Sequence, residues 1–184
     1  MAKPVLIDRD LGWRELFKKV TLGGEAYAKV GIQQDTVRKQ EDGKGPVSMV
    51  QLGAIHEFGA PNAGKNRNIV IPERSFIRAW HDSARGQITQ LQDRLGRQFI
   101  DGKITLRQMI AKLGVFGQGG IRKFIRNLRE PKLAASTVAG RRRGYEGKNR
   151  GKVSDNPLVD TGQLVGSIHS VSVIRGVETD RTGP

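Results

Sequence analysis

PLVDTGQLVGSIHSVSV, residues 157–173, places a turn, a short helix and a half-buried strand one after another without a spare residue. Pro157 sets an extended approach, Asp160 is placed to cap the next turn through its side-chain oxygen, and Gly162 can take a backbone conformation closed to other residues. Leu164 and Ile168 lie four residues apart, on one helical face, after which Ser170, Val171, Ser172 and Val173 alternate as in a strand. So compact a pattern predicts a fixed structural corner.

Working outward, Ile77, Trp80, Ala84, Ile88, Leu91, Leu95 and Phe99 keep steps of three or four residues, an apolar stripe of about six helical turns that Asp101 and Gly102 end. A second helix opens near Thr105 with Leu106, Met109, Ile110 and Leu113 on one face. Glycines at 114, 117, 119 and 120 predict a bend there, before Ile121, Phe124, Ile125 and Leu128 resume the stripe as far as Pro131. Nearer the amino terminus, Ala28, Val30 and Ile32 alternate with Tyr27, Lys29 and Gly31 as a strand. Val50, Ala54 and Phe58 repeat at helical spacing over 47–58, and Gly59 with Pro61 stops that helix. Ile69, Val70 and Ile71 read as a short strand, from which Pro72 turns into the long helix. Leu11, Leu16, Phe17 and Val20 give one short amphipathic helix, ended by Gly23 and Gly24, in an extension over 1–26. Residues 40–46, 60–68 and 139–152 read as polar loops, the last a mobile one with four glycines and six basic residues, and 175–184 as a tail. Together these predict an α+β fold in one domain, a small antiparallel sheet packed on two long helices, with projecting loops.

The chain has 184 residues, enough to bury a core of its own, but aromatics make up only 5% and glycines number 24, so that core should be modest. No cysteine is present, which excludes disulfides, a thiolate nucleophile and cysteine-ligated zinc. No apolar run reaches the length of a signal peptide or a membrane span, so no membrane partner is expected. Net charge is +14 and unevenly placed: residues 121–152 hold 11 Lys or Arg against Glu130 and Glu146, a local +9. Such a stretch reads either as a solvated face running into a basic loop or as a surface for a polyanion or acidic protein. Within it, Arg141, Arg142, Arg143, Lys148, Arg150 and Lys152 are the candidate partner-binding residues.

Candidate chemistry is sparse. Asp160-Thr161-Gly162 matches the tripeptide of aspartic proteases, but such enzymes need two copies sharing a proton, and here it occurs once. His56-Glu57 fails as a zinc site because HExxH requires His at position 60, which is Ala. Glu57 is better read as accepting from backbone or pairing with an arginine such as Arg74. Gly117, Gly119 and Gly120 precede no GK[ST], so helix flexibility explains them better than a phosphate cradle. No catalytic residue, metal ligand or cofactor is assigned.

LGAIHEFGAP at 52–61, IPERSFIRAW at 71–80 and PLVDTGQLVGSI at 157–168 resemble, in this order, the hEFG, IPxRxF and PLxDTGxLxxSI segments of the tail-completion or virion-morphogenesis proteins of tailed bacteriophages and prophages. The resemblance covers roughly residues 27–174. It implies a structural, non-enzymatic protein at the virion neck, assembled in the host cytoplasm, that completes or caps the tail and joins it to the head. It also implies a homo-oligomeric ring, such as a hexamer, around the passage for DNA, with other neck, tail-terminator or head-tail connector proteins as neighbours. Motif positions carried by the resemblance are Glu57, Phe58, Gly59, Pro72, Arg74, Phe76, Pro157, Asp160, Thr161, Gly162 and Leu164. Phe58 and Phe76 are expected to be anchors in the core or a subunit seam. The rival from another class is a basic nucleic-acid-binding module without sequence specificity, supported by a pI near 10.6 and weakened because Tyr145 is the sole ring in 139–152.

Overall fold

The structure, a computed structural model, describes residues 12, 14–15, 17–18, 21, 24–32, 48–64, 66, 68–145 and 155–182. In chain order the elements are β1 (Ala26–Ile32), α1 (Met49–Phe58), β2 (Ala60–Ala63), β3 (Ile69–Ile71), α2 (Phe76–Ile100), α3 (Leu106–Asn127), α4 (Ala135–Tyr145), α5 (Gln163–Gly166), β4 (Ile168–Ile174) and β5 (Val177–Thr182). The fold is α+β. Strands β1, β4 and β5 form one antiparallel sheet in that order, and β2 with β3 forms a separate two-stranded ribbon. The amino-terminal stretch contributes helical residues at Arg14, Glu15, Phe17, Lys18 and Thr21, while Leu11, Leu16, Val20 and Gly23 lie outside the described residues.

The central strand is β4. Ile168, Ser170, Val171, Ser172 and Val173 are all buried; β1 and β5 flank the strand, and α3 covers the face of Ile168, Ser170 and Ser172. Pairing with β1 runs from Ala26 opposite Ile174 to Ile32 opposite Ile168. Residues 175–184, expected to be a tail, instead supply the third strand through Thr182. A two-residue loop makes this possible: Arg175 and Gly176 have φ of 55° and 76°, the paired positive values of the hairpin turn whose twist matches that of the strands.

Helix α3 lies against the sheet, and α2 packs chiefly on α3. Thr105 starts α3 through a reciprocal capping box with Gln108, and the helix then runs continuously through the glycines where a bend was expected. Close packing is the reason. A Cβ on Gly114 would sit 3.0 Å from Ser170 Cβ and one on Gly117 would sit 3.0 Å from Val30 Cγ2, both on the sheet side. One on Gly120 would overlap the indole of Trp80 on α2. Trp80 in turn meets Phe116 with the rings tilted 54° to each other, centres 6.3 Å apart. The core assembles Phe76, Ile121, Ile125, Leu158, Leu164, Val165 and Ile168, so the corner at 157–168 is packed directly on both long helices.

Two loops expected to project are partly regular. Residues 60–63 pair with 69–71, with a register irregularity between Ala60 and Ala63 that accommodates Pro61, which has no N–H to give a ladder. Residues 139–145 continue α4, where alanines and arginines favour helix in spite of Gly140. The remainder of 139–152 lies outside the described residues.

Gly120→Ala is expected to destabilise the protein by about 1–3 kcal/mol through overpacking against Trp80. Gly119→Ala, where a Cβ meets nothing, is expected to stabilise by up to about 1 kcal/mol through helix propensity alone. Urea denaturation of both variants measures the pair; effects of the same sign and size would contradict the close approach.

Candidate functional site

The three motif segments meet at one junction, built from the carboxyl end of α1, the start of α2 and the corner before α5. Ser48 begins α1 through a capping box with Gln51, and the face that α1 buries is Met49, Gly53 and Glu57. This is one residue out of phase with the expected stripe. Val50, Ala54 and Phe58 face solvent, with Phe58 67% exposed, so Phe58 is not a core anchor. The buried phase wins because Gly53 leaves room for Ile32 and the ring of Phe76, and because Glu57 has partners only on the inner side. Phe58 instead lies under the guanidinium of Arg78, 4.8 Å from its ring centre. Phe76, by contrast, is fully buried, as expected.

Glu57, 5% exposed, acts as a helix cap delivered from another element. Its Oε2 accepts from the N–H of Ile77 at 3.0 Å, and Oε1 from the N–H of Arg78 at 3.0 Å and from Arg78 Nε at 3.1 Å. Ser75, the residue at the cap position of α2, makes no side-chain cap bond, so the carboxylate replaces it. Arg78 also donates to the Glu57 carbonyl at 2.8 Å and to Glu73 Oε1 at 2.7 Å. The expected acceptance from backbone is therefore observed, but the arginine partner is Arg78 rather than Arg74. Arg74, 5% exposed, donates to the carbonyls of Pro131 and Lys132 at 2.9 and 3.0 Å, tying the start of α2 to the segment after α3. Gly59 has φ of 74° and abuts Ile71 O and Glu73 N, and Pro72 is half-buried between β3 and α2.

At the corner, Pro157, Leu158 and Leu164 are buried. Gly162 takes the left-handed conformation, φ 80°, as read from the sequence, and itself occupies the cap position of α5 without a side-chain cap bond. Asp160, two residues before this glycine, pairs with Arg141 Nε at 3.6 Å. Asn156, which the sequence reading passed over, holds the corner. Its Oδ1 accepts from the N–H groups of Leu158 and Val159, and its Nδ2 donates to the Ile125 and Arg126 carbonyls at the end of α3. The Asn-Pro pair at 156–157 was the available signal.

Arg141 donates to the carbonyls of Asn156 and Val159 at 2.9 and 3.1 Å, so it is a brace for this corner and not a free contact for a partner. Arg142 and Arg143 are exposed, whereas Lys148, Arg150 and Lys152 lie outside the described residues. A small cleft of about 120 Å³ separates α1 from the corner, lined by His56, Arg141, Asp160, Thr161 and Gln163 among others. Burial first, then the charges of Arg74 and Arg141, lower the His56 pKa to about 4. Its Nδ1 is buried with no hydrogen-bond partner among the described residues. An imidazole with so low a pKa is neutral at pH 7 and a weak general base.

Among the described residues no group of three or more His, Asp or Glu could hold a metal ion, and no helix is long and apolar enough to cross a membrane. No protein family, curated protein or solved structure matches the chain.

Glu57→Ala is expected to cost roughly 2–4 kcal/mol, since it leaves two helix N–H groups and Arg78 Nε without their acceptor. Glu57→Gln, which keeps one oxygen, should cost less, and denaturant midpoints order the three proteins. A second expectation concerns pH. Unfolded His56 takes up a proton near pH 6.5 and folded His56 only near pH 4, so the unfolded state binds more protons between them. Stability should fall as pH drops through that window, at up to about 1.4 kcal/mol per unit, and His56→Gln should flatten this part of the curve.

Proposed function

We propose that this protein is a structural component of a tailed-bacteriophage neck that completes the tail and joins it to the head as a homo-oligomeric ring. The observation that carries the reading is the interlocking of its three motif segments at one junction: Glu57 caps α2, Arg74 of the second segment holds the chain after α3, and the 157–168 corner packs on Phe76. A buried carboxylate and arginines used on backbone carbonyls are architectural devices, and they keep a small core in register. Removing the gene from a phage that carries it should leave tails and filled heads unjoined, with joining restored by the purified protein. Normal joining without it, or its absence from purified particles, would overturn the reading.

The second reading, a sequence-independent binder of nucleic acid, is favoured by the exposed Lys123, Arg126, Arg129, Arg142 and Arg143 within the basic stretch 121–152. The two readings meet in one experiment. Arg142 and Arg143 to Ser should leave stability within about 0.5 kcal/mol of the parent, whereas Arg141→Ser should cost roughly 1–3 kcal/mol because it unties the corner. If the basic surface meets an acidic neighbouring ring or DNA in the neck, the double variant also lowers the yield of joined particles, more steeply as salt is raised. Strong, salt-sensitive DNA binding with normal joining would favour the second reading.

A further inference from the structure

Among the described elements, strands β2 and β3 pack mainly on each other. Ile69 and Val70 are consecutive, so their side chains leave opposite faces of the ribbon, yet they are 54% and 70% exposed. Neither face is therefore fully covered, although Ala60, Ala63 and Ile71 are half-buried. No further strand pairs with the ribbon among the described residues, and an isolated two-stranded ribbon is marginal in water. The helix leading into it turns Val50, Ala54 and Phe58 outward as well. Residues 60–71 include two basic side chains, Lys65 and Arg67, and no acidic one. A fitting partner must offer an apolar slot that touches both faces of a ribbon, with no uncompensated positive charge at its rim.

The chain itself carries an apolar groove. A groove of about 820 Å³ lies between β1, α2 and α3, lined by Val30, Ile77, Trp80, Ile88, Leu113 and Phe116 with others. On its rim the Arg78 guanidinium is neutralised by Glu57 and Glu73 at 3.1 and 2.7 Å, and Asp82, itself 3.7 Å from Arg85, adds a carboxylate. We propose that the β2–β3 ribbon of one copy inserts into the β1–α2–α3 groove of the next. The two surfaces are different, so the contact is heterologous and propagates head to tail until rotation closes a ring. This names the contact behind the assembly reading above and rests on it for the repeating copy, but it is tested on the purified chain alone.

Because the protein has no cysteine, paired substitutions report the contact directly. Under mild oxidation the double variant V70C/L113C should give a ladder of covalent oligomers, while an equimolar mixture of V70C and L113C should stop at dimers. Gln92→Cys, exposed on the same groove wall, replaces L113C if that protein does not fold. Val70→Asp should weaken self-association at least tenfold and leave the monomer's melting curve unchanged. Efficient dimers from V70C alone would indicate ribbon-to-ribbon pairing and overturn the proposal. So would absence of a ladder, or slow thiol labelling of L113C in dilute monomer, which would place a segment of the same chain in the groove. A negative result here with normal head–tail joining refutes the contact and spares the function; a ladder from a protein missing from particles does the reverse.

Discussion

A carboxylate is tolerated in a protein interior only where hydrogen bonds and opposite charge replace the water it has lost, and the Glu57 site meets that condition through the open end of α2. Two free N–H groups of a 25-residue helix, at its positive end, meet the two oxygens of the buried carboxylate. Arg78 adds a third donor, but half its side chain is in solvent, so the backbone bonds carry more of the effect than the ion pair. The consequence reaches beyond the junction. Fixing the first turn of α2 sets Phe76 in the core and brings Trp80 and Ala84 to the face that meets α3. It also fixes α1, since Glu57 can reach α2 only when Met49 and Gly53 turn inward.

That constraint leaves α3 between two partners, with the sheet on one side and α2 on the other. A helix so placed cannot carry large side chains everywhere. Glycine at 114 and 117 lets β1 and β4 approach, and at 120 it admits the edge of Trp80. Glycine in a helix interior costs roughly 0.5–1 kcal/mol against alanine, and here burial of Ile110, Ile121 and Ile125 beside the glycines offsets it. Gln118, also buried, accepts the N–H of Ser170 at 3.0 Å and gives the helix a polar link to the central strand.

Much of this was legible in the chain. The long stripe of α2, the start of α3 at Thr105, the alternation of β1 and the left-handed Gly162 follow from local rules that the tertiary structure does not override. What was not legible depended on a partner distant in sequence. Val50, Ala54 and Phe58 are more apolar than Met49, Gly53 and Glu57, so a periodicity reading chooses the wrong face of α1. A buried glutamate is predictable only once its acceptors' donors at 77 and 78 are known to be nearby. Clustered glycines are equally consistent with a bend and with a close approach until the neighbouring sheet is in place. The turn at Arg175–Gly176 lacks the Asn-Gly or Asp-Gly pair that marks this geometry, and so β5 looked like a tail. At the candidate site, the motif positions were found, but Arg78 and Asn156, which make more of the bonds, were not.

Formal charge misleads in the same way. The +9 of residues 121–152 counts every basic side chain alike, yet Arg122 donates to the Ile168 carbonyl at 3.1 Å and Arg141 to those of Asn156 and Val159. These guanidiniums replace water on backbone oxygens at the ends of elements, and a fork of several donors does this better than an ammonium. Their charge is partly committed to holding the corner, so the surface a polyanion or acidic protein could meet is smaller than composition implies. The corner at 157–168 accordingly owes its fixed shape in large part to Arg141 and Asn156, which bind its carbonyls and amides from the two flanking sides.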